Sequence, residues 1–239
     1  MISCRNLSRR FGDKLAVDSV NFDLPDGAIC ALLGPNGAGK STTLAMLSGL
    51  LAPTSGEAVV ANTAAVPGSL ELRRHIGVLP ENLGLFDDLT VEEHLLLTGD
   101  MYAVTGNEVR RRMDQLLRLL DLDHGRHTFA SACSHGMRKK TALATALLPQ
   151  PRVLLLDEPF EGVDPVTARA MVSTLKQLSG RGVTTLMATH VLAAVEQVAT
   201  DLMIMREGRI IWSAVSTEVG EPLESIYLSP LGAREGEEL

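Results

Sequence analysis

The sequence predicts an α/β fold with a mostly parallel central sheet, antiparallel β elements at the N-terminus and an inserted helical subdomain. Three observations carry this expectation. Short runs that are apolar throughout, the pattern of strands buried on both faces, alternate with helix-compatible segments. Two N-terminal segments read as antiparallel strands about a turn. A long middle stretch carries no convincing strand and repeats its apolar residues at helical spacing.

Taken in order, Ile2–Leu7 and Val17–Leu24 form the antiparallel pair, with the turn around Arg10–Lys14. Ile29–Leu33, Ala58–Ala61, Ile76–Leu79, Val153–Leu156, Thr184–Ala188 and Leu202–Met205 are strand-length runs, and most precede sequence able to form a helix. Between Thr90 and about Leu148, the residues Val109, Met113, Leu116, Leu117 and Leu120 share one helical face. The expected organisation is one domain over residues 1–228. Within it, 1–89 and 149–228 form the α/β core, 90–148 form the helical subdomain, and 229–239 are a polar, frayed tail.

Composition bounds the possibilities. At roughly 150 residues per domain, a chain of 239 residues is one large domain or two unequal lobes. An apolar content of 45% supports a packed core, and with only 3% aromatics that core is built from aliphatic side chains. The net charge of −7 argues against a general nucleic-acid binder. The longest stretch free of charged residues and His, Ser41–Gly56, is short and rich in Ser, Thr, Gly and Pro. A spanning helix needs about 20 mostly apolar residues. The start, Met1–Arg5, lacks the basic-then-apolar pattern of a secretory signal. Cys4, Cys30 and Cys133 are far apart and odd in number, which suggests neither a disulfide framework nor a zinc site. The expectation is a cytoplasmic protein.

The first motif with chemistry is Gly34-Pro35-Asn36-Gly37-Ala38-Gly39-Lys40-Ser41, a full match to G-x-x-x-x-G-K-S/T. It follows the apolar run Ile29–Leu33 and precedes the helix-compatible Ser41–Ser48, the context that a phosphate loop requires. Glycines let successive N–H groups point inward at an anion, and the helix N-terminus adds partial positive charge. Lys40 supplies a full charge to the β- and γ-phosphates, and Ser41 a hydroxyl for magnesium. The expected nucleotide contacts run from Gly34 through Thr42.

Val153–Leu156 leads directly into Asp157 and Glu158. A strand of that apolarity is central, so its acids emerge at the carboxyl end, where open α/β sheets bind ligands. The expectation is that this strand neighbours the one feeding the phosphate loop. Asp157 suits a magnesium ion, and Glu158 suits polarisation of an attacking water.

With these motifs in hand, the chain resembles the ATP-binding subunits of ABC transporters over about Ile2–Leu228. Gly34–Ser41 and Val153–Glu158 correspond to that family's Walker A and Walker B motifs. Cys133-Ser134-His135-Gly136-Met137 lies where the family carries Leu-Ser-Gly-Gly-Gln, and Phe160–Asp164 where it has a loop ending in Asp. The resemblance implies that Ser134 and Gly136 contact the γ-phosphate held by an opposite subunit, and that Asp164 lies beside the nucleotide. It implies that His190, in Thr189-His190 after the run Thr184–Ala188, is the switch histidine contacting γ-phosphate and water; a satisfied packing histidine is the bland reading. Phe11 stands at the adenine-stacking position, against the alternative of a core Phe on a turn. Glu81 replaces the usual Gln beside the metal, as in an exporter branch. His135 and Met137 depart from the signature: His135 either crowds the phosphate, adds charge to it or simply points to solvent, and Met137 removes a polar contact.

The implied function is an ATP-binding and ATP-hydrolysing subunit that powers an exporter through ATP-driven pairing, with ATP and Mg2+ as cofactors. Implied partners are a separate integral-membrane permease and a second ATPase subunit, the same chain or a related one, on the inner face of the plasma membrane. Motion would pass to the permease through Asn82–Val91 and the helical subdomain. Two alternatives stay open: a non-transport nucleotide switch, and an ATP-gated regulator with weak hydrolysis, the latter suggested by His135 and Met137.

Overall fold

A computed structural model describes residues 1–104, 106–216 and 222–232, the side chains of 228–232 excepted. Strands β1 (Ile2–Phe11) and β2 (Lys14–Leu24) pair antiparallel around a turn at Gly12–Asp13. On its other side β1 pairs antiparallel with β4 (Ser55–Val60), which pairs with the short β5 (Thr63–Ala64). The second sheet has six strands in the order β10 (Arg209–Val215), β9 (Asp201–Arg206), β3 (Ile29–Leu33), β8 (Thr184–Thr189), β7 (Val153–Asp157), β6 (Ile76–Leu79). All its pairings are parallel except that of β10 with β9.

The apolar runs are explained by two cores, one on each side of this sheet. In β3, Ile29, Ala31 and Leu33 join a cluster with Leu154 and Leu156 of β7 and with the helices. Cys30 and Leu32 face the other way, with Val153, Leu155 and with Ile2 and Leu7 of β1. Side chains alternate along a strand, so a strand covered on both faces must be apolar at every position. Each fully buried Leu contributes roughly 1.5–3 kcal/mol.

Helices α1 (Lys40–Leu47), α2 (Leu70–His75), α3 (Val91–Met101), α4 (Asn107–Leu119), α5 (His135–Leu147), α6 (Pro165–Ser179), α7 (Leu192–Val198) and α8 (Leu223–Gly232) complete the chain. Helices α3 to α5 fill the stretch between β6 and β7, where no strand occurs among the described residues. Helix α3 opens on a capping box, Thr90 accepting from the Glu93 N–H while Glu93 accepts from that of Thr90. Helix α4 buries Val109, Met113 and Leu117, with Leu120 just beyond it, as the spacing requires; Leu116 is half-buried. Among the described residues no helix is long and apolar enough to cross a membrane.

Several expectations need correction. Ala58–Ala61 belongs to the antiparallel sheet: Ala58 and Val60 are buried, Val59 is half-buried, and Ala61 leaves the strand at φ +50°. Four apolar residues in a row look alike whether one face is covered or two. Leu202–Met205 leads into a hairpin rather than a helix. Its turn residues Glu207 and Gly208 both have positive φ (+49° and +80°), the twist that suits a two-residue hairpin. The partner strand β10 was not expected, because its edge position leaves it without a continuous apolar run. Strand β8 stands between β3 and β7, so the acidic strand is not the direct neighbour of the phosphate-loop strand. Finally, α8 runs through Gly232, so the start of the expected polar tail is helical; 233–239 lie outside the described residues.

Candidate active site

Strand register sets the site. Leu33 is paired with Thr189, and Asp157 with Ala188, so three parallel strands end at one edge. Gly34, Glu158 and His190 each follow one of those ends. The phosphate loop is then fixed by close approach. A Cβ on Gly34 would lie 2.2 Å from the Met205 carbonyl oxygen, and one on Gly39, at φ +107°, 2.4 Å from that of Ala16; only glycine fits. Gly39 caps α1 without a side-chain hydrogen bond, which leaves the helix's first N–H groups for an anion.

Lys40, 6% exposed, donates from Nζ to the carbonyls of Gly34 (2.7 Å) and Pro35 (3.2 Å) and lies 3.8 Å from Glu158 Oε1. Glu158, equally buried, adopts φ +45°, and its N–H donates to the Ala188 carbonyl at 2.8 Å. Its Oε1 lies 3.0 Å from His190 Nδ1, and its Oε2 accepts from the His190 backbone N–H at 3.3 Å. The His190 ring is half-exposed and held by Glu158, so it is not a packing residue. Beside them Asp157 is buried, and its Oδ1 has no hydrogen-bond partner. Burial pushes the Asp157 carboxyl above its ordinary pKa; a hydrogen bond from Ser41 opposes this, while the charges of Glu81 and Glu158 add to it.

These groups border a cleft of about 390 Å³ lined by Phe11, Lys14, Ala16, Asn36, Gly37, Gly39, Lys40, Ser41, Thr42, Glu81, Glu158, Glu161 and His190. Phe11 is 46% exposed, with the Arg9 guanidinium 4.6 Å from its ring centroid, so it is a surface aromatic and not a core residue. The profile of the family described as ABC transporter matches residues 17–161, from β2 to just beyond the acidic pair.

The chain belongs to the ABC transporter family. It is 32% identical to the linearmycin resistance ATP-binding protein of Bacillus subtilis, over 92% of this chain and 70% of that one. It is 35% identical to the Nod factor export ATP-binding protein I of Burkholderia lata, over 95% and 76% of the two chains. Among solved structures, an ATP-binding subunit of an ABC transporter superposes with a TM-score of 0.88 at 30% identity, covering 96% of this chain and 98% of that one. A dimeric ATP-binding cassette in a post-hydrolysis state with ADP and Pi gives 0.82 at 26% identity, covering 90% and 99%. As a member of this family the chain is an ATP-binding and ATP-hydrolysing subunit of a transporter.

Not every residue expected at the nucleotide lines this ABC cassette's cleft. Gly34, Pro35 and Ala38 shape the loop without lining it. Ser134 is exposed at the N-cap of α5, where its Oγ accepts from the Met137 N–H at 3.2 Å. Gly136 is buried: a Cβ there would sit 3.0 Å from Thr167 Oγ1 and 3.3 Å from Asp164 Oδ2. Asp164 is the N-cap of α6, accepting from the N–H groups of Val166 (2.9 Å) and Thr167 (3.0 Å) and from the Thr167 hydroxyl (2.6 Å). Its own helix thus engages both carboxylate oxygens, and hydrogen bonds hold its carboxyl below its ordinary pKa. Gly136 and Asp164 thus meet at the junction of α5 and α6, outside the cleft of their own chain. His135 does not simply point to solvent. Its ring packs on Gly162, with Nε2 3.1 Å from the Glu161 carbonyl oxygen.

Lys14, Ala16 and Glu161 were not expected in the cleft, nor was Lys139 near it. Lys139 is 2% exposed and donates to the backbone carbonyl of Glu158. A signal existed: Gly136, Lys139, Leu143 and Leu147 recur at spacings of three and four along α5, and all are buried.

Proposed function

We propose that this ATPase subunit powers export by closing, as a pair of copies or with a related subunit, around two ATP molecules. The observation that carries the reading is the convergence of Lys40, Glu158 and His190 on one edge of the sheet, beside a phosphate loop that lines the same cleft. Lys40 holds two loop carbonyls in the free chain and would exchange them for the β- and γ-phosphates. Glu158 would orient and polarise the attacking water, while His190 steadies its carboxylate and faces the γ-phosphate. Phe11 offers a flat exposed face to adenine. Exposed Ser134, at the N-terminus of α5, would close the site of the opposite subunit.

The residues present fit a magnesium ion. Asp157 Oδ1 is buried without a partner, and Ser41 hydrogen-bonds the same carboxyl. Among the described residues no group of three or more His, Cys, Asp or Glu could hold a metal alone. A magnesium ion is commonly held by one or two carboxylates together with phosphate and water oxygens. Ser41, Asp157 and Glu81 would hold it, and when bound it would offset phosphate charge.

The names of the two relatives, one a resistance and one an export protein, support export as the direction. A separate permease at the inner face of the plasma membrane would dock on the segment 82–91 and the helical subdomain 90–148. That segment presents Phe86, 60% exposed. The Phe86 N–H donates to His94 Nε2 (2.9 Å), and His94 Nδ1 lies 2.8 Å from the Thr90 carbonyl, which assigns the proton to Nδ1. The test is ATPase turnover of the wild type against Glu158→Gln. A general base contributes about 10²–10⁴-fold, so turnover falls by that factor while ATP binding persists and an ATP-dependent dimer accumulates in size-exclusion chromatography. Equal turnover in the two proteins would remove Glu158 from the chemistry.

A further inference from the structure

The α5 helix is fastened to the segment that carries the acid of its own chain. His135 reaches the Glu161 carbonyl, Gly136 abuts Asp164 and Thr167, and Lys139 reaches deepest, to the carbonyl of Glu158. Nothing in the chemistry assigned above uses Lys139. Yet burying an ammonium is costly unless it is hydrogen-bonded, and here it spends its bond on a backbone oxygen.

The reason lies in the geometry of Glu158. A non-glycine residue at φ +45° is held in a sparsely populated conformation by its surroundings. The peptide groups flanking it are fixed from two sides: its N–H by the Ala188 carbonyl of β8, and its C=O by Lys139 of α5. On this backbone the carboxylate lies toward Lys40 and His190. Charge points the same way. Burial lowers the pKa of the Lys139 ammonium, and Glu161, Glu158, Asp157 and Glu81 all act to restore it. The Lys139 side chain is therefore buried among the acids in and beside the cleft.

We propose that Lys139 is a positioning residue for hydrolysis, acting through Glu158. It locks the Glu158 backbone so that the carboxylate meets His190, and it ties the Ser134-bearing end of α5 to that acid. Ser134 is exposed and lies outside its own cleft, so a shift of α5 on engaging an opposite subunit would reach Glu158 through this bond. The inference rests on Glu158 being the residue that acts on water.

The test compares wild type, Lys139→Met and Lys139→Arg as full chains, with kcat and KM from steady-state ATPase assays, ATP affinity from direct titration, and folding from thermal melts. A misplacement of about 1 Å can cost on the order of 100-fold. Lys139→Met is expected to lower kcat by about ten- to a hundredfold while ATP affinity stays within about threefold. Lys139→Arg, which keeps charge and donor, returns most of the loss. In a Glu158→Gln background, Lys139→Met lowers the residual rate by less than about twofold, because the residue acts through Glu158. If Lys139→Met does not fold, Lys139→Gln, which keeps a donor, is measured by the same criteria. Unchanged kcat in a folded Lys139 variant overturns the proposal, as does a parallel fall of kcat and affinity that Arg does not rescue. If wild type hydrolyses ATP but Glu158→Gln does so equally well, the role of Glu158 fails first, a result distinguishable from failure at Lys139 alone.

Discussion

Replacing Lys40 with Met tests the electrostatic logic of the cleft. The Nζ atom makes two hydrogen bonds to loop carbonyls, at 2.7 and 3.2 Å, and sits 3.8 Å from a buried carboxylate. At an effective dielectric constant of about 20, the gross attraction at that separation is roughly 4 kcal/mol, and desolvation removes much of it. A hydrogen bond to a charged group is worth a net of about 1.5–3 kcal/mol. Exchanging the carbonyls for phosphate oxygens engages a charged donor with a charged acceptor, so loss of Lys40 should weaken ATP binding by about that amount. The corresponding change in Kd is roughly 10- to 150-fold. Isothermal titration with ATP and magnesium reads it directly. Removing this cation also leaves Asp157 and Glu158 less compensated, so the nucleotide-free Met variant should melt at a lower temperature than wild type. A Kd within about threefold of wild type would refute the reasoning, because it would mean that the triphosphate does not meet Lys40.

Three further expectations follow from the same geometry. Burial raises the Asp157 pKa above its ordinary value, so its favourable contribution is present below the ordinary value and lost as pH rises through the raised one. Asp157→Asn should therefore raise the melting temperature of the nucleotide-free protein at pH 7, shrink that difference in acid, and abolish the magnesium dependence of nucleotide binding; an unchanged or lower midpoint at pH 7 would contradict this. Gly34→Ala places a Cβ 2.2 Å from the Met205 carbonyl, which must displace β9 from the loop; ATP affinity and the thermal midpoint should fall together, and retention of both would show that the loop is looser than described. Phe11→Ala removes an exposed ring stacked under Arg9 and should weaken ATP by about 1–3 kcal/mol while leaving inorganic triphosphate binding unchanged; equal effects on both ligands would count against adenine stacking.

Much of the fold was legible because burial on both faces of a sheet writes itself into consecutive positions. Ile29–Leu33 and Ile76–Leu79 have the bounds that their apolar runs suggested, and α4 buries the face that its spacing marked. Strands covered on one face were harder: β10 escaped notice, and Ala58–Ala61 was assigned to the wrong sheet. Within the site, the phosphate loop was readable because its glycines, Lys40 and Ser41 are contiguous. Asp164 was harder to place, because an acid before Pro165 reads equally well as a nucleotide contact or as a helix cap, and in this chain it makes three bonds to α6.

By itself, the order of residues determined which segments become strands, where an anion-binding turn must form, and that two acids follow a fully buried strand. These are local properties, fixed by backbone preference and by the period with which apolar side chains recur. Only the tertiary structure decided that β8 stands between β3 and β7, and so that His190 rather than some other residue meets Glu158. It likewise decided that Lys139 turns inward to the Glu158 carbonyl while Ser134, on the same helix, turns out. The physical reason is that a contact between distant segments depends on sheet order and helix docking. Those are set by how the whole core packs, a sum over many weak contacts that no single stretch of sequence contains.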